Sequence, residues 1–243
     1  MSSLALLTLI FLVAVVYASV GHGGASGYLA VLSLFGIAAH QMAASVLLLN
    51  LVVAGLAWFV FWRAGHGSLA LAWPFLVASI PCALLGGWLH VPAGVYQGLL
   101  AVLLLIAAMR LWVQLPSVTV VDGRPPLLTA LPFGAGIGLV SGIVGVGGGI
   151  FLSPVLMLCR WADAKRTAAV SAAFIVTNSL AGLSGRLLSG RLEFGSITAP
   201  LILSAMVGGL VGSRLGASQY SNQRLCRLLA VILVIAAGKL ALT

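Results

Sequence analysis

The chain has 243 residues, of which 62% are apolar and only 6% charged, with a net charge of +9. A soluble domain carries about 25% charged residues, so this composition cannot clothe a water-facing surface and excludes a soluble enzyme or binding domain. Repeated apolar runs of spanning length make it an all-α integral membrane protein, expected as one compact bundle in two halves.

The first apolar segment runs from Leu4 to about Gly36, some 33 residues. As one helix it would be about 50 Å long, against a hydrocarbon core of about 30 Å. It is interrupted by Gly21-His22-Gly23-Gly24-Ala25-Ser26-Gly27. Glycine at this density weakens a helix interior by about 1 kcal/mol per residue relative to alanine. The segment therefore reads as two arms around a break, either re-entrant or crossing as paired half-helices. No Lys or Arg precedes Arg63, so a cleavable signal peptide is not expected and the stretch is assigned to the mature protein.

Spans are predicted at about His40–Trp62, Leu69–Leu89 and Val95–Val113, with a loop at Gly65-His66-Gly67 and a kink at Pro81. Pro116–Pro126 is the one clearly polar, proline-bounded linker. It divides the chain into a first transmembrane repeat (1–115) and a second (127–243), forming one membrane domain. The second half repeats the plan: a long segment from about Leu127 to Leu158 interrupted at Ser141–Gly149, then spans at about Thr167–Leu188, Phe194–Leu215 and Arg224–Leu242. Gly21, Gly23 and Gly24 fall on Gly145, Gly147 and Gly148 at an offset of 124, and Asn50 falls on Asn178 at 128.

If each broken segment crosses once, the 12 basic residues divide six against six. If each returns to its starting side, nine face one side and Arg186, Arg191 and Lys239 the other. The positive-inside rule favours the second arrangement, which makes the repeats inverted with the N-terminus outside. Basic residues scattered between apolar runs are orienting loop charges, and no nucleic-acid partner is expected. Trp58, Trp62, Trp73, Trp88, Trp112 and Trp161 fall near span ends, as interface anchors do. Asp163-Ala-Lys165-Arg166 reads as a helix cap with orienting charge. Cys82, Cys159 and Cys226 form no CxxC and read as packing residues, so no metal site or cofactor is expected.

Asp122, Asp163 and Glu193 all lie in predicted loops. A carboxylate proton relay and a charged cation site are thereby disfavoured. No catalytic constellation, zinc motif or phosphate-binding GxxxxGK[ST] loop is present, so an enzyme is not expected. What remains at mid-membrane depth is glycine, hydroxyl and amide. A helix restarting after a glycine break presents N–H groups carrying roughly half a positive charge, which suits an anion. Two breaks brought together would form a neutral anion cage without a fixed buried cation. Its candidate members are Gly21, His22, Gly23, Gly24, Ser26, Asn50, Gly145, Gly147, Gly148, Gly149, Ser171 and Asn178, with Ser45 and Thr177 within a turn or two. His22, whose counterpart is Val146, breaks the symmetry and could couple protons, or simply pack. Gly86, Gly87, Gly208, Gly209 and Gly212 read as close-packing positions between helices.

The run Gly145-Val-Gly-Gly-Gly-Ile-Phe-Leu-Ser-Pro154-Val-Leu156, followed by Ala168 to Asn178 and then Gly190, resembles the signature of sulfite exporters of the TauE/SafE type, in the toluene-sulfonate uptake permease group. The first half departs from it at Ala25, Ser26 and Ala30. The resemblance implies a bacterial inner-membrane protein that moves small sulfur oxyanions or organosulfur anions, by secondary transport since no nucleotide-binding motif is present. Its partners are then a small anion, the bilayer, a coupling proton or sodium ion, and a second copy in a homo-oligomer. The alternatives are an uptake permease for organosulfonates or other organic anions, and a non-transporting scaffold whose glycines only pack helices.

Overall fold

The computed structural model describes residues 3–37, 43–113, 125–194, 198–218 and 223–241. Ten α-helices follow in order: α1 (Ser3–Ser19), α2 (Ala25–Leu34), α3 (Ala43–Phe61), α4 (Leu69–Trp88), α5 (Ala93–Trp112), α6 (Leu127–Val144), α7 (Gly149–Leu158), α8 (Ala164–Leu188), α9 (Thr198–Ser218) and α10 (Gln223–Ala241). Six stretches among them are long and apolar enough to cross a membrane. The linker 116–126 lies almost wholly outside the described residues, as do His40 and Asp122.

Both glycine runs break the helix where expected, but more tightly. α2 already starts at Ala25, so Ser26 and Gly27, read as part of the break, are helical. Gly24 (φ 95°) and Gly148 (φ 82°) cap the restarting helices in left-handed conformations, which an L side chain rarely adopts. Pro81 sits with Pro74 inside a continuous α4. At the predicted loop a π-helical turn, Trp62–His66, follows α3, and the chain leaves helical geometry at Gly65 (φ 83°) and is extended at Gly67.

Each break also brings the start of the next helix back beside the one before it. Gly27 on α2 lies against Val13 and Tyr17 on α1, and Ser26 Oγ and Tyr17 Oη share a 2.8 Å hydrogen bond. In the second half a methyl placed on Gly148 would lie 2.7 Å from Ile137 Cγ2, well back along α6. Both short helices thus begin beside the preceding helix instead of extending it. At 10 residues each they are about 15 Å long, half a hydrocarbon core.

The helices pack by exchanging partners between the halves. α1 lies along α9 as α6 lies along α4; α3 meets α9 as α8 meets α4; α2 meets α10 as α7 meets α5. Glycines at every fourth residue explain the two tightest seams. Gly134, Gly138 and Gly142 on α6 approach the backbones of Phe75, Ser79 and Ala83 on α4. Gly208, Gly212 and Gly216 on α9 do the same against Phe11, Val15 and Ser19 on α1. With no hydrophobic drive between helices in lipid, such close backbone approach supplies the packing energy. Gly86 against Gly142 and Gly87 against Gly182 fill the packing role predicted for them.

α3 and α8 form the interior. Their most apolar windows are 56% and 72% buried, against 33–44% for the other spanning helices. Those others turn Val77, Val102, Met109, Leu128, Leu203 and Val207 outward, as lipid-facing surfaces require. Trp62, Trp73, Trp88 and Trp112 are exposed near helix ends, whereas Trp161 packs on Phe75, ring centroids 6.2 Å apart.

Candidate functional site

The interior helices carry the two central asparagines, both fully buried. Asn50 on α3 ties the breaks together. Its Oδ1 accepts from Ala25 N–H, the first residue of α2, at 3.1 Å. Its Nδ2 donates to Val146 O, within the second break, at 3.0 Å. Gly23 on one side and Gly147 on the other lie so close to this amide that a side chain at either would strike it. Both polar atoms of Asn50 thus have a partner within the chain.

Asn178 on α8 is its sequence counterpart and behaves differently. Its Oδ1 accepts from Ser79 Oγ on α4 at 2.6 Å, while its buried Nδ2 has no hydrogen-bond partner among the described residues. That amide lies beside the break, 3.6 Å from where a Gly148 methyl would be. The neighbouring Ser179 Oγ, buried and also without a partner, lies 3.3 Å from the corresponding Gly147 position. The first turn of a helix leaves its N–H groups without intrahelical acceptors. In α7 the first N–H groups to find one are those of Phe151 and Leu152, both on Gly148 O. Among the described residues the second break therefore brings the first turn of α7 together with an amide and a hydroxyl that have no hydrogen-bond partner.

His22 reaches from the first break into the second half. Its Nδ1 lies 2.8 Å from Val20 O and its Nε2 3.0 Å from Ser153 Oγ on α7. Ser153 Oγ in turn lies 3.0 Å from Gly149 O and 2.8 Å from Ser171 Oγ on α8. Gly21 abuts Ala168 on α8, and a methyl placed on Gly145 would lie 3.1 Å from the carbonyl oxygen of Ala43 on α3.

The predicted residues thus converge on the two breaks, with particular exceptions. Ser26 turns into the α1–α2 hairpin and is occupied by Tyr17. Ser45 bonds Thr198 at 2.7 Å. Thr177 folds back onto its own helix, 3.1 Å from Ala173 O and 3.0 Å from Phe174 O. Asp163 caps α8 as expected, accepting from Arg166 N–H at 2.8 Å.

The absence of a fixed buried cation needs correction. Arg186 is not a loop charge: it is 7% exposed on α8, donating at 2.8 Å to Ile143 O and 3.4 Å to Gly142 O. Tyr96 Oη donates at 2.9 Å to the adjacent Val144 O. Together they satisfy the carbonyls that α6 leaves open just before the second break. The predicted span Thr167–Leu188 already carries Arg186 in its last turn; what the sequence does not show is that the side chain turns inward to carbonyls of α6. Ser153 was legible, four residues beyond Gly149 in the glycine-rich run, but Ser79 carries no sequence signal.

Comparison with known proteins follows the same line. The family model for the sulfite exporter TauE/SafE matches residues 6–240. A protein of Sinorhizobium fredii named "Probable membrane transporter protein y4hK" is 34% identical over 234 residues, covering 95% of this chain and 94% of that protein. No solved structure matches.

Proposed function

The chain belongs to the TauE/SafE sulfite exporter family of membrane transporters, and from that premise we propose that it exports a small sulfur-containing anion such as sulfite across a bacterial inner membrane. The anion sits at the second glycine break. The observation that carries this reading is the unpartnered Asn178 Nδ2 beside the N-terminus of α7. A helix N-terminus favours negative charge, and a buried amide N–H without an acceptor costs free energy until a ligand supplies one. Ser179 and the N–H groups of Gly147, Gly148 and Gly149 complete the seat. Asn50, Gly23 and Gly24 hold the first break against the second, and Gly21 and Gly145 set their spacing.

The halves 1–115 and 127–243 act as inverted repeats, with the N-terminus outside and each broken segment re-entrant. Supporting this are the start of α2 beside α1, the matching order of five helices per half, and the exchange of packing partners. Alternating access follows from one half rocking against the other around the breaks.

Sulfite flux into proteoliposomes tests the site. Gly148→Leu forces a side chain between Ile137, Phe174 and Asn178 at the start of α7 and Asn178→Ala removes the unpartnered donor, so both are expected to abolish most flux at normal expression. Unchanged flux in both sinks the assignment. Competition by thiosulfate, alkyl sulfonates and carboxylates separates a sulfur-oxyanion exporter from an organosulfonate permease.

A further inference from the structure

Val20 O can only accept a hydrogen bond, so its 2.8 Å contact with His22 Nδ1 places a proton on that nitrogen. In the neutral imidazole Nε2 is then an acceptor, and Ser153 must point its single hydroxyl proton at it, 3.0 Å away. Ser171 Oγ, at 2.8 Å, supplies Ser153 with a donor. Gly149 O, 3.0 Å from Ser153 Oγ, receives nothing from that hydroxyl in this arrangement.

A second proton on the ring reverses the chain without breaking it. Nε2–H now donates to Ser153 Oγ, and the Ser153 hydroxyl turns to Gly149 O. Every donor again has an acceptor. Each state is satisfied by rotating one hydroxyl, and Gly149 is the first residue of α7, at the seat proposed for the anion.

The surroundings decide when the second proton is held. On α1 the ring of Tyr17 meets the imidazole edge-on at 6.5 Å between centroids. From α7 come the hydroxyl of Ser153 and the backbone of Gly149, and from α8 the hydroxyl of Ser171 behind Ser153. From α5 the charge of Arg110 acts on the ring, and neither Asp163 nor Glu193 does. An imidazolium here faces a like charge and the positive end of a helix, and no carboxylate among the described residues balances it. An anion at the α7 N-terminus supplies that balance.

We propose that His22 couples the two ligands, taking up one proton from the side on which the anion binds and releasing it where the anion leaves, so that the protein is an anion–proton symporter. The inference rests on the anion seat proposed above. By linkage the proton must tighten the anion by the same factor that the anion tightens the proton. A dianion carried with one proton keeps a net negative charge, so an interior-negative membrane potential still drives it outward.

The test uses thiosulfate and methanesulfonate, whose own charges do not change in the range where a histidine titrates; sulfite, which itself titrates there, is unsuitable. Thermal stabilisation of the purified protein by each anion is measured at about pH 5.5 and about pH 8. Half-maximal stabilisation is expected at a measurably lower anion concentration at the acid pH, the direction that linkage requires. In His22→Gln the ratio of the two concentrations should fall to about one. Ser153→Ala, which keeps the imidazole but removes the acceptor of its second proton, should also shrink it. Equal binding at both pH values, or a ratio unchanged in both variants, overturns the coupling and leaves the anion seat standing. No stabilisation by either anion at either pH overturns both.

Discussion

Asn50→Ala separates the strut from the seat. The substitution removes the acceptor of Ala25 N–H and the donor to Val146 O, both in a site where Asn50 is fully buried. A buried polar group left without a partner costs about 1–3 kcal/mol, so two cost about 2–6 kcal/mol. Rearrangement within a membrane bundle lowers such figures, since measured interhelical hydrogen bonds there average about 0.6 kcal/mol. A working value is about 3 kcal/mol, or a fall in Tm of roughly 6–12 °C for a chain of this size. Asn178→Ala loses only the bond from Ser79 Oγ, about 1 kcal/mol and roughly 2–4 °C. Thermal melts of both variants in detergent, with and without thiosulfate, read the difference. Asn50→Ala should melt early in either condition. Asn178→Ala should melt near wild type without anion and fail to gain stability with it. If Asn50→Ala melts within about 3 °C of wild type, or Asn178→Ala is the less stable of the two, the division of labour between the asparagines is wrong.

Gly87→Leu drives a side chain into the backbone of Gly182, whose carbonyl carbon already lies 3.0 Å from a Cβ at that position; it should prevent a monodisperse peak in size-exclusion chromatography, whereas Gly98→Leu, with open space around it, should elute as wild type does. Arg186→Met keeps the apolar stem and removes the donors to Gly142 O and Ile143 O, a loss of about 2 kcal/mol that should lower Tm by roughly 4–8 °C in a melt. Thr177→Val removes a hydroxyl that touches only its own helix, so anion flux in proteoliposomes should stay within about twofold of wild type.

The two breaks were legible because glycine density and segment length are local facts. A stretch of 33 apolar residues cannot cross a bilayer as one straight helix, and glycine marks where it yields. The N-terminal boundary of α2 was placed too late, because Ala25-Ser26-Gly27 is a poor helix start by composition and is held there by Asn50, which lies 25 residues away. A buried amide contributed from another helix is invisible to any local pattern. The same holds for Arg186. Its charge in the last turn of a predicted span suggested a group facing water, whereas it turns inward to carbonyls of α6, 43 residues earlier.

Composition alone determined that the chain is a helical membrane protein, since 6% charge leaves nothing with which to face water. The internal offset of the glycine runs determined that both halves are broken in matching places. The matching pairs are nevertheless not equivalent, and only tertiary packing decided that. Asn50 and Asn178 are the same residue at corresponding points of a repeat, yet one amide spans both breaks and the other keeps a free N–H. The cause is the partner that each meets: Asn178 Oδ1 meets Ser79 Oγ on α4, and Asn50 Oδ1 meets the N-terminus of α2. A hydrogen bond depends on what lies within about 3 Å in space, and for these two residues the chain neighbours do not say what that is.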